Sequence, residues 1–453
     1  MGGGMFKRIL IANRGEIALR TIRACKKLGI ETVAIYSEAD HEAPHRSEAT
    51  VAVCVGGPNS ADSYLNMEAI LQAAEQTEAN AIHPGYGFLA ENALFAELCN
   101  QLKFTFIGPS PQVIRLMGDK ATARRTMKQA GLRVIPGSEE VVANPAEALD
   151  LAHEIGFPVL LKATAGGGGK GMRICRDETT FSGNYAEAVM EAEKAFGNPG
   201  LYLEQYVEFG RHIEFQFLAD SFGNAVHLGE RECSVQRSHQ KLVEESPSPI
   251  VDPHLREEMG ERVRHAVAAI GYVGAGTMEF LRAPNGDLYF MEVNTRLQVE
   301  HPVTEMVTGF DLVEEQIRVA ANHELSMRQA DVHIKGHAIE CRVNAEDPLD
   351  GFKPCPGLVE RFEPPEEATG VRVRVDTYVS SGTRIPVFYD SLVCKLIVAG
   401  EDRDTTRRGM IEALKRFRVE GIKTTIPLHI KIMENAVFAS GNYNTSLLSQ
   451  ILD

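Results

Sequence analysis

The sequence predicts a protein of the α/β class with an α+β organisation overall. Strand-like and helix-like segments alternate over residues 5–118, which is typical of parallel βαβ units. Four successive glycines, Gly166 to Gly169, lie between two strand-like runs. Further along, Asn285-Gly286 separates two more strand-like runs, a pattern typical of an antiparallel hairpin. The length of 453 residues predicts about three domains.

Charge and cysteine usage exclude several classes of protein. The net charge is −15, from 47 basic and 62 acidic residues, which argues against a nucleic-acid partner. An anionic substrate stays compatible, because a basic cleft can lie in an acidic protein. The eight scattered cysteines form no CxxC pair and indicate a reduced compartment. The sequence has neither a signal-peptide apolar region nor a membrane-length apolar run, so we expect a cytoplasmic protein with no membrane partner.

The first region is predicted to be a parallel sheet with flanking helices. Strand-like runs at 8–12 and 32–36 enclose a helical stretch at 16–28. The turn at 83–87 (HPGYG) and Gly108-Pro109 each follow another strand-like run. Open α/β sheets bind ligands beyond the carboxyl ends of their strands. We therefore expect a ligand near these glycine-containing turns.

The glycine cluster is predicted to cover nucleotide phosphates. Lys162 precedes the cluster and Lys170 follows it. Glycines allow backbone N–H groups to approach phosphate oxygens closely. The spacing of Gly166, Gly168 and Gly171 formally matches G-x-G-x-x-G, but the residues that follow are strand-like rather than helical. A strand–loop–strand cover therefore fits better than a dinucleotide fingerprint.

The hairpin near residue 285 predicts a metal site. With Asn285 and Gly286 as a two-residue loop, Glu279 lies directly opposite Glu292 on the same face of the sheet. Asn294 lies one repeat further along that face. Two carboxylates and an amide oxygen are ligands that Mg²⁺ prefers when it bridges substrate phosphates.

The same alternation predicts further polar side chains beside the metal. An extended chain would bring Arg296, Gln298 and Glu300 to one face, and these residues supply an anion holder and a base. The last region is predicted to contain strands at 338–344, 371–375 and 392–398, followed by a helix at 405–417.

Lys120, Lys162 with its glycine loop, and the Glu279/Glu292/Asn294 set together resemble the ATP-grasp superfamily. Four longer strings resemble biotin carboxylases, and the resemblance covers residues 5–448. These strings are 11–18 (IANRGEIA), 83–89 (HPGYGFL), 230–237 (ERECSVQR) and 292–304 (EVNTRLQVEHPVT).

The resemblance implies an ATP-grasp fold in three parts. A Rossmann-like parallel α/β domain would span 5–118. The ATP-grasp domain would span 119–335, with a mobile glycine-rich lid at about 135–203. A C-terminal mixed domain would span 336–448.

The resemblance also implies site residues. The metal ligands would be Glu279, Glu292 and Asn294, and Arg342 would face the biotin ureido oxygen. Bicarbonate would be held by Lys241, Arg296, Gln298 and Val299, with Glu300 as the base. The catalytic set would be Lys241, Arg296, Glu300 and Arg342. The ATP-binding residues would be Lys120, Lys162, Gly168, Gly169, Glu204, Gln205, Tyr206, Val207, His212, Gln236, His239, Glu279 and Glu292.

The implied reaction is the ATP-dependent carboxylation of biotin by bicarbonate through carboxyphosphate, with Mg²⁺ or Mn²⁺, as two ions, serving as cofactor. The 453 residues contain no Met-Lys-Met biotin-attachment sequence. The resemblance therefore implies a separate biotin carboxyl carrier protein and separate carboxyltransferase subunits, as in bacterial acetyl-CoA carboxylase. Family members also imply a homodimer.

Three alternatives stay open from the sequence. The chain could serve a pyruvate, propionyl-CoA or other acyl-CoA carboxylase. It could be another ATP-grasp ligase, although Arg342 and the string at 292–302 disfavour this. It could also bind nucleotide without catalysis, although a binding protein needs no base such as Glu300.

Overall fold

The structure is a computed structural model that describes residues 4–142, 144–164, 172–238 and 240–452. Its first part is the predicted parallel sheet. The strands are β1 (Arg8–Ile11), β2 (Glu31–Ser37), β3 (Val51–Gly56), β4 (Ala81–His83) and β5 (Thr105–Phe106). The helices are α1 (Gly15–Lys27), α2 (Pro44–Glu48), α3 (Met67–Gln76), α4 (Ala93–Gln101) and α5 (Pro111–Gly118).

The parallel sheet has the strand order β3-β2-β1-β4-β5. Its ladders are parallel, and β1 is buried along its apolar residues, as expected of a strand covered on both faces. The loops that follow β1 and β4 lie together, because Asn13 Nδ2 donates to the carbonyl oxygens of Pro84 (2.7 Å) and Tyr86 (2.8 Å). The predicted glycine-containing turn therefore lies at the ligand-binding edge of the sheet.

A smaller antiparallel sheet follows, with the order β7-β6-β8. Its elements are α6 (Lys120–Gln129), α7 (Pro145–Ile155), β6 (Val159–Ala163), β7 (Met172–Cys175), α8 (Glu178–Phe196) and β8 (Leu201–Gln205). The strands on either side of the glycine cluster pair with each other, with Leu161 opposite Arg173. The predicted strand–loop–strand arrangement is confirmed for β6 and β7. Gly166 to Gly169 and Lys170 lie outside the described residues.

The largest sheet begins in the middle of the chain and continues into its last part. The middle elements are β9 (Arg211–Ala219), β10 (Ala225–Arg237), β11 (Gln240–Ser246), α9 (Pro253–Ala269), β12 (Gly274–Arg282), β13 (Leu288–Asn294), α10 (His301–Thr308) and α11 (Leu312–Ala320).

The last part of the chain supplies three more strands of this sheet. Its strands are β14 (His337–Asn344), β15 (Glu346–Asp347), β16 (Lys353–Pro354), β17 (Gly357–Leu358), β18 (Arg361–Glu363), β19 (Arg372–Thr377), β20 (Arg384–Ile385), β21 (Leu392–Gly400) and β22 (Arg418–Glu420). Its helices are α12 (Arg403–Arg416), α13 (Ile426–Glu434), α14 (Ala436–Ala439) and α15 (Leu447–Leu452). The sheet order is β13-β12-β9-β10-β11-β14-β21-β19, so one sheet continues across residues 335 and 336.

The loop of the β12–β13 hairpin differs from the prediction. The Ala283 N–H donates to the Asp287 carbonyl oxygen (2.9 Å), so the loop contains three residues, 284–286, rather than Asn285 and Gly286 alone. Gly286 has a φ of +96°, which places it in the left-handed region, where glycine is favoured. The predicted two-residue loop is therefore wrong.

The predicted pairing of the two glutamates is nevertheless confirmed. Phe280 pairs with Phe290, but Glu279 pairs with Glu292, which leaves Met291 as the extra residue of a bulge. The longer loop and the bulge compensate for each other. The predicted register at Glu279 was therefore right, although the turn assumed for it was not.

The chain does not stay extended to residue 300, as the alternation predicted. Strand β13 ends at Asn294, and Glu300 directly precedes α10. The backbone N–H of Thr295 donates to Glu91 Oε1 (2.9 Å) instead of to a neighbouring strand. Residues 295–300 therefore form an irregular connection, because a side chain replaces the strand partner.

A buried ionic network links the middle and last parts of the chain. Glu245 on β11 contacts His337 Nε2 (2.6 Å) on β14 and Arg403 Nε (2.7 Å) on α12, and it accepts a hydrogen bond from the Tyr443 hydroxyl. Burial alone raises the pKa of Glu245, but His337 and Arg403 outweigh it and lower the pKa to about 2. The ionised carboxylate therefore stabilises the folded state.

We expect Glu245→Gln to lower stability at neutral pH by about 3 kcal/mol, because the pKa falls from 4.5 to about 2 on folding. A lowered pKa contributes stability that is complete above the unfolded value and is lost as the pH falls through the folded value. The difference in thermal midpoint between the two proteins should therefore shrink as the pH falls from about 5 toward 2. Glu434→Gln, at a surface pair with Lys415, is the control. A pH-independent difference would contradict the assignment.

In the described part of the chain, the helices are too short or too polar to cross a membrane.

Candidate active site

A cavity of about 1920 Å³ brings the predicted site residues together. The small sheet, one end of the large sheet and the loops after β1 and β4 form its walls. The predicted residues that line it are Lys120, Lys162, Glu204, Gln205, Tyr206, Val207, His212, Gln236, Lys241, Glu279, Glu292, Asn294, Arg296, Gln298, Val299, Glu300 and Arg342. The other three, Gly168, Gly169 and His239, lie outside the described residues.

Lys241 lies at the centre of a cluster of acceptors. Its Nζ is within hydrogen-bond distance of Glu214 Oε2 (2.6 Å), Glu279 Oε1 (2.8 Å), Gln298 Oε1 (3.0 Å) and Glu300 Oε1 (2.6 Å). An ammonium group has three N–H donors, so four acceptors compete for it. Burial lowers the pKa of Lys241, but the surrounding carboxylates reverse this and hold the pKa well above its usual value. Lys241 is therefore a permanent cation.

Glu300 lies between two cations. Besides Lys241, the guanidinium of Arg342 donates from Nη2 to Glu300 Oε2 (2.9 Å). Burial alone raises the pKa of Glu300, but the charges of Lys241 and Arg342 hold it well below its usual range. The carboxylate is therefore ionised and faces the cavity.

Arg342 bridges Glu300 and a second carboxylate. Its Nε donates to Glu244 Oε1 (2.6 Å). Burial raises the pKa of Glu244 to about 7, although Arg342 opposes this shift. Nearby on β14, Glu340 is fully buried and its pKa lies well above the usual value, chiefly because of burial. The guanidinium of Arg342 thus bridges Glu244 and Glu300.

The β12–β13 hairpin presents the predicted metal ligands. Glu279 pairs directly with Glu292, and Asn294 Nδ2 donates to Glu279 Oε1 (2.9 Å). Burial and the charge of Glu279 both raise the pKa of Glu292. This excess of negative charge and the oxygen donors fit a hard divalent cation.

His212 on β9 contacts the same carboxylate. Its Nε2 is 3.1 Å from Glu279 Oε2. Burial alone lowers the pKa of His212, but Glu279 reverses the effect and the net pKa is raised. Together, Lys241 and His212 hold the pKa of Glu279 well below its usual value, against the effect of burial. Glu279 is therefore held as an ionised carboxylate.

Arg296 is oriented by a carboxylate from the parallel-sheet region. Its Nε donates to Glu91 Oε2 (2.8 Å), and its Nη2 donates to Asn294 Oδ1 (3.0 Å). Gln298 Nε2 donates to Glu279 Oε1 (3.0 Å). Residues 295–300 therefore bring a cation and an amide to the same wall of the cavity as Glu279.

The small sheet contributes the opposite wall. Lys162 on β6 forms an ion pair with Glu204 on β8, and Arg124 Nη1 contacts the other carboxylate oxygen of Glu204 (3.2 Å). Lys120 begins α6, whose first turn is capped by Asp119. These cations face the cavity from elements that do not belong to the large sheet.

The sequence analysis missed several carboxylates that support the site. Each of them contacts a predicted cationic residue rather than the space where a substrate would bind. Glu214 contacts Lys241, Glu91 contacts Arg296 and Glu244 contacts Arg342. Of these three, only Glu214 had a local sequence signal, because it alternates with His212 along β9 and so lies on the same face of the strand. The structure pairs it with Glu279.

Comparisons with known proteins agree with this geometry. Three family profiles match successive parts of the chain: the biotin carboxylase N-terminal domain at residues 5–114, the carbamoyl-phosphate synthase L chain ATP binding domain at 119–328, and the biotin carboxylase C-terminal domain at 340–450. Biotin carboxylase 1 of Bacillus subtilis is 55% identical over 98% of this chain and 98% of its own length. The chain belongs to the biotin carboxylase family. It is therefore an ATP-dependent ligase with an ATP-grasp fold.

Other members of the biotin carboxylase family belong to different carboxylases. A pyruvate carboxylase subunit of Methanothermobacter thermautotrophicus is 51% identical over 98% of this chain and 90% of its own length. The biotin carboxylase domain dimer of Hydrogenobacter thermophilus 2-oxoglutarate carboxylase, solved with MgADP, ADP and bicarbonate, is 51% identical. It has a TM-score of 0.93 and covers 99% of both chains. The ATP and Mg²⁺ expectations agree with the ligands of that relative.

Proposed function

We propose that the chain carboxylates biotin on a carrier protein, using ATP and bicarbonate, with the site residues in the roles predicted from the sequence. The observation that carries the proposal is Glu300, held ionised between Lys241 and Arg342 in the cavity that also contains Lys162 and Glu279. A protein that only binds nucleotide needs no buried, ionised carboxylate between two cations. Carboxylation of biotin needs both a base and a cation for the ureido oxygen.

Nucleotide binding is assigned to the two opposing walls. In this proposal Lys120 and Lys162 contact the phosphates, and the adenine lies beside residues 204–207, with His212, Gln236 and His239 nearby. Gly168 and Gly169 cover the phosphates. Glu204 now holds Lys162, so phosphates compete with a carboxylate for this lysine. Nucleotide binding therefore replaces the Lys162–Glu204 ion pair with one between Lys162 and a phosphate, while Arg124 still contacts Glu204.

Glu279, Glu292 and Asn294 are the residues that would hold Mg²⁺ or Mn²⁺, as two ions. An ion held by these residues would supply positive charge to offset the negative charge of the ATP phosphates. Burial and the charge of Glu279 raise the pKa of Glu292, and a cation held by these residues would offset both effects.

We expect Glu292→Gln to raise the Mg²⁺ concentration for half-maximal ATP hydrolysis at least tenfold, because one charged ligand is lost. The measurement is bicarbonate-dependent ADP release against free Mg²⁺ at a fixed ATP concentration. The matched control is Glu258→Gln on the exposed face of α9, which should leave the curve unchanged. Identical Mg²⁺ curves for Glu292→Gln and the unaltered protein would contradict the assignment.

Bicarbonate is assigned to the wall formed by Lys241, Arg296, Gln298 and Val299, with Glu300 as its base. Bicarbonate adds a negative charge beside Glu300 and competes for Lys241, and both effects raise the proton affinity of Glu300. Glu300 then takes the bicarbonate proton, and a bicarbonate oxygen attacks the γ-phosphorus as the bond to ADP breaks. The products of this step are carboxyphosphate and ADP.

Carboxyphosphate then decomposes to CO₂ and phosphate, and the phosphate takes the N1′ proton of biotin. Arg342 stabilises the negative charge that develops on the ureido oxygen, and N1′ attacks CO₂ to give carboxybiotin. Exclusion of water protects carboxyphosphate from hydrolysis, which is the role we assign to the cover around residues 135–203.

We further propose that the carrier protein and the carboxyltransferase are separate chains, that the complex is acetyl-CoA carboxylase, and that the chain acts as a cytoplasmic homodimer. The dimer of the 2-oxoglutarate carboxylase domain supports the homodimer. Relatives from pyruvate and 2-oxoglutarate carboxylases favour those complexes as the second candidate. Capture of the carrier from the native host, followed by assay with each acyl acceptor, separates these complexes.

We keep 5–118, 119–335 and 336–448 as the proposed domains, although the large sheet joins the last two.

The decisive experiment is ATP hydrolysis by the purified chain with Mg²⁺ and bicarbonate, with and without free biotin. We expect biotin to stimulate hydrolysis and carboxybiotin to accumulate in proportion to ADP. Bicarbonate-dependent hydrolysis without carboxybiotin, in the presence of free biotin or the biotinylated carrier, would indicate another ATP-grasp ligase. ATP binding without hydrolysis would indicate a nucleotide-binding protein.

A further inference from the structure

His227, near the start of β10, is a buried histidine outside the cavity described above. Its side chain is only 3% exposed, and neither ring nitrogen has a hydrogen-bond partner among the described residues. A neutral imidazole carries one N–H and one lone pair, and leaving both unsatisfied in the interior is costly. His227 therefore lacks the polar partners that its burial requires.

Helix α9 packs against the ring of His227 at a glycine. A Cβ on Gly260 would lie 2.3 Å from both Nε2 and Cε1 of His227, which is too close for any side chain. Glycine inside a helix costs about 1 kcal/mol relative to alanine. Here the absence of a side chain on Gly260 allows the ring to approach the helix backbone.

Two glutamates of α9 lie on either side of this contact. Glu257 and Glu261 are four residues apart and therefore share one face of the helix. One carboxylate oxygen of each lies within 4.8 Å of the other and of a ring nitrogen of His227. Ligands about 2.0–2.2 Å from a tetrahedral ion lie about 3.4 Å apart, so side-chain movements of roughly 1 Å complete the site.

The electrostatic surroundings permit a divalent cation. Glu261 accepts a hydrogen bond from Arg264, and the charges of these two residues offset each other. Glu257 then supplies the net negative charge of the site. Arg256, the other nearby cation, is already engaged by both oxygens of Glu230 at 2.7 Å. An arginine that holds a ligating carboxylate also orients it, as is common around metal sites.

We propose that His227, Glu257 and Glu261 form a second metal site, which takes a transition-metal ion such as Zn²⁺ and fastens α9 to β10. One imidazole and two carboxylates with an open fourth position suit Zn²⁺, whereas Mg²⁺ prefers oxygen ligands alone. Gln236, which lines the cavity, lies nine residues further along β10 than His227, a span of about 30 Å. The site is therefore distinct from the catalytic one.

The test is Zn²⁺ binding to the whole chain, measured by calorimetry in excess Mg²⁺ so that the oxygen-rich catalytic site is occupied. We expect one Zn²⁺ per chain that Mg²⁺ does not displace, accompanied by a rise in thermal midpoint. Glu257→Gln, on an exposed carboxylate, and His227→Gln should each weaken this binding at least tenfold. Glu258→Gln, at the neighbouring exposed pair with Arg262, is the matched control and should bind normally.

A second measurement guards against a folding defect in His227→Gln. Co²⁺ bound to the unaltered chain should give visible d–d absorption that is lost in Glu257→Gln, while both proteins keep the same thermal midpoint without metal. Any Zn²⁺ bound at the exposed thiol of Cys54 is additional to the one expected ion, is common to every variant and cancels in the comparison. Equal Zn²⁺ affinity in the unaltered chain and both site variants, or no Zn²⁺ bound in excess Mg²⁺, would overturn the proposal.

Discussion

Glu300→Gln is expected to lower kcat for bicarbonate-dependent carboxybiotin formation by about 10²- to 10⁴-fold, the usual contribution of a general base. The amide has nearly the same shape and still accepts a hydrogen bond, but it cannot take the bicarbonate proton. Among the described residues, Glu300 is bonded to Lys241 (2.6 Å) and Arg342 (2.9 Å) and to none of residues 204–207 beside which the adenine is placed. The Kd for ATP should therefore stay within about threefold of the original value, since the phosphate-binding lysines are unchanged.

The measurement is carboxybiotin formation together with nucleotide affinity by calorimetry. Glu314→Gln, at a surface pair with Lys27, is the control for the same chemical change away from the cavity. Its kcat should equal that of the unaltered protein. A Glu300→Gln protein with kcat within twofold of the original would remove Glu300 as the base.

Arg342→Ala is expected to lower carboxybiotin formation by about 10²- to 10³-fold, as for the loss of a donor that stabilises a developing oxyanion. The KM for ATP should change by less than about threefold, because Arg342 donates to Glu244 and Glu300 and not to the residues assigned to the ATP phosphates, Lys120 and Lys162. Bicarbonate-dependent ATP hydrolysis without biotin should fall less than carboxybiotin formation does. This split separates a role in the biotin step from a role in phosphoryl transfer.

Folding of this variant has to be checked separately, because Arg342 offsets buried carboxylates. Glu244 already has a pKa of about 7, and loss of the guanidinium raises it further, so the carboxyl becomes neutral rather than an unpaired charge. Arg342→Lys keeps the positive charge but loses the fork that reaches two carboxylates, and we expect an intermediate rate. A loss confined to ATP binding in either variant would contradict the placement of biotin at Arg342.

Local sequence patterns predicted much of the fold. Alternating strands and helices gave the parallel sheet, because each βαβ unit is encoded within a few dozen residues. The β12–β13 loop was misjudged because the bulge at Met291 has no sequence signal, and only the compensation between loop and bulge kept Glu279 opposite Glu292. The order of the large sheet could not be predicted, since it depends on pairings such as β11 with β14 that are distant in sequence.

The candidate site divides in the same way. The Glu279–Glu292 pair followed from hairpin register, whereas the proximity of Lys241, Glu300 and Arg342 followed only from the family resemblance. The contact of Glu91 with Arg296 could not be predicted, because the two residues are 205 positions apart in the sequence. A charged residue that only orients another charged residue leaves no recognisable sequence pattern when its partner lies in a different region of the chain.

The sheet that joins β11 to β14 also bears on how such enzymes can be divided. Family profiles treat 119–328 and 340–450 as separate modules, yet main-chain ladders connect them directly. A fragment ending at residue 335 would expose the edge of β11 at residues 243–246, and an unpaired strand edge is a template for aggregation. The domains that sequence families define are thus smaller than the unit that folds cooperatively. A chimera that takes its last domain from a relative would fold only where the new β14 pairs with β11 in the same register.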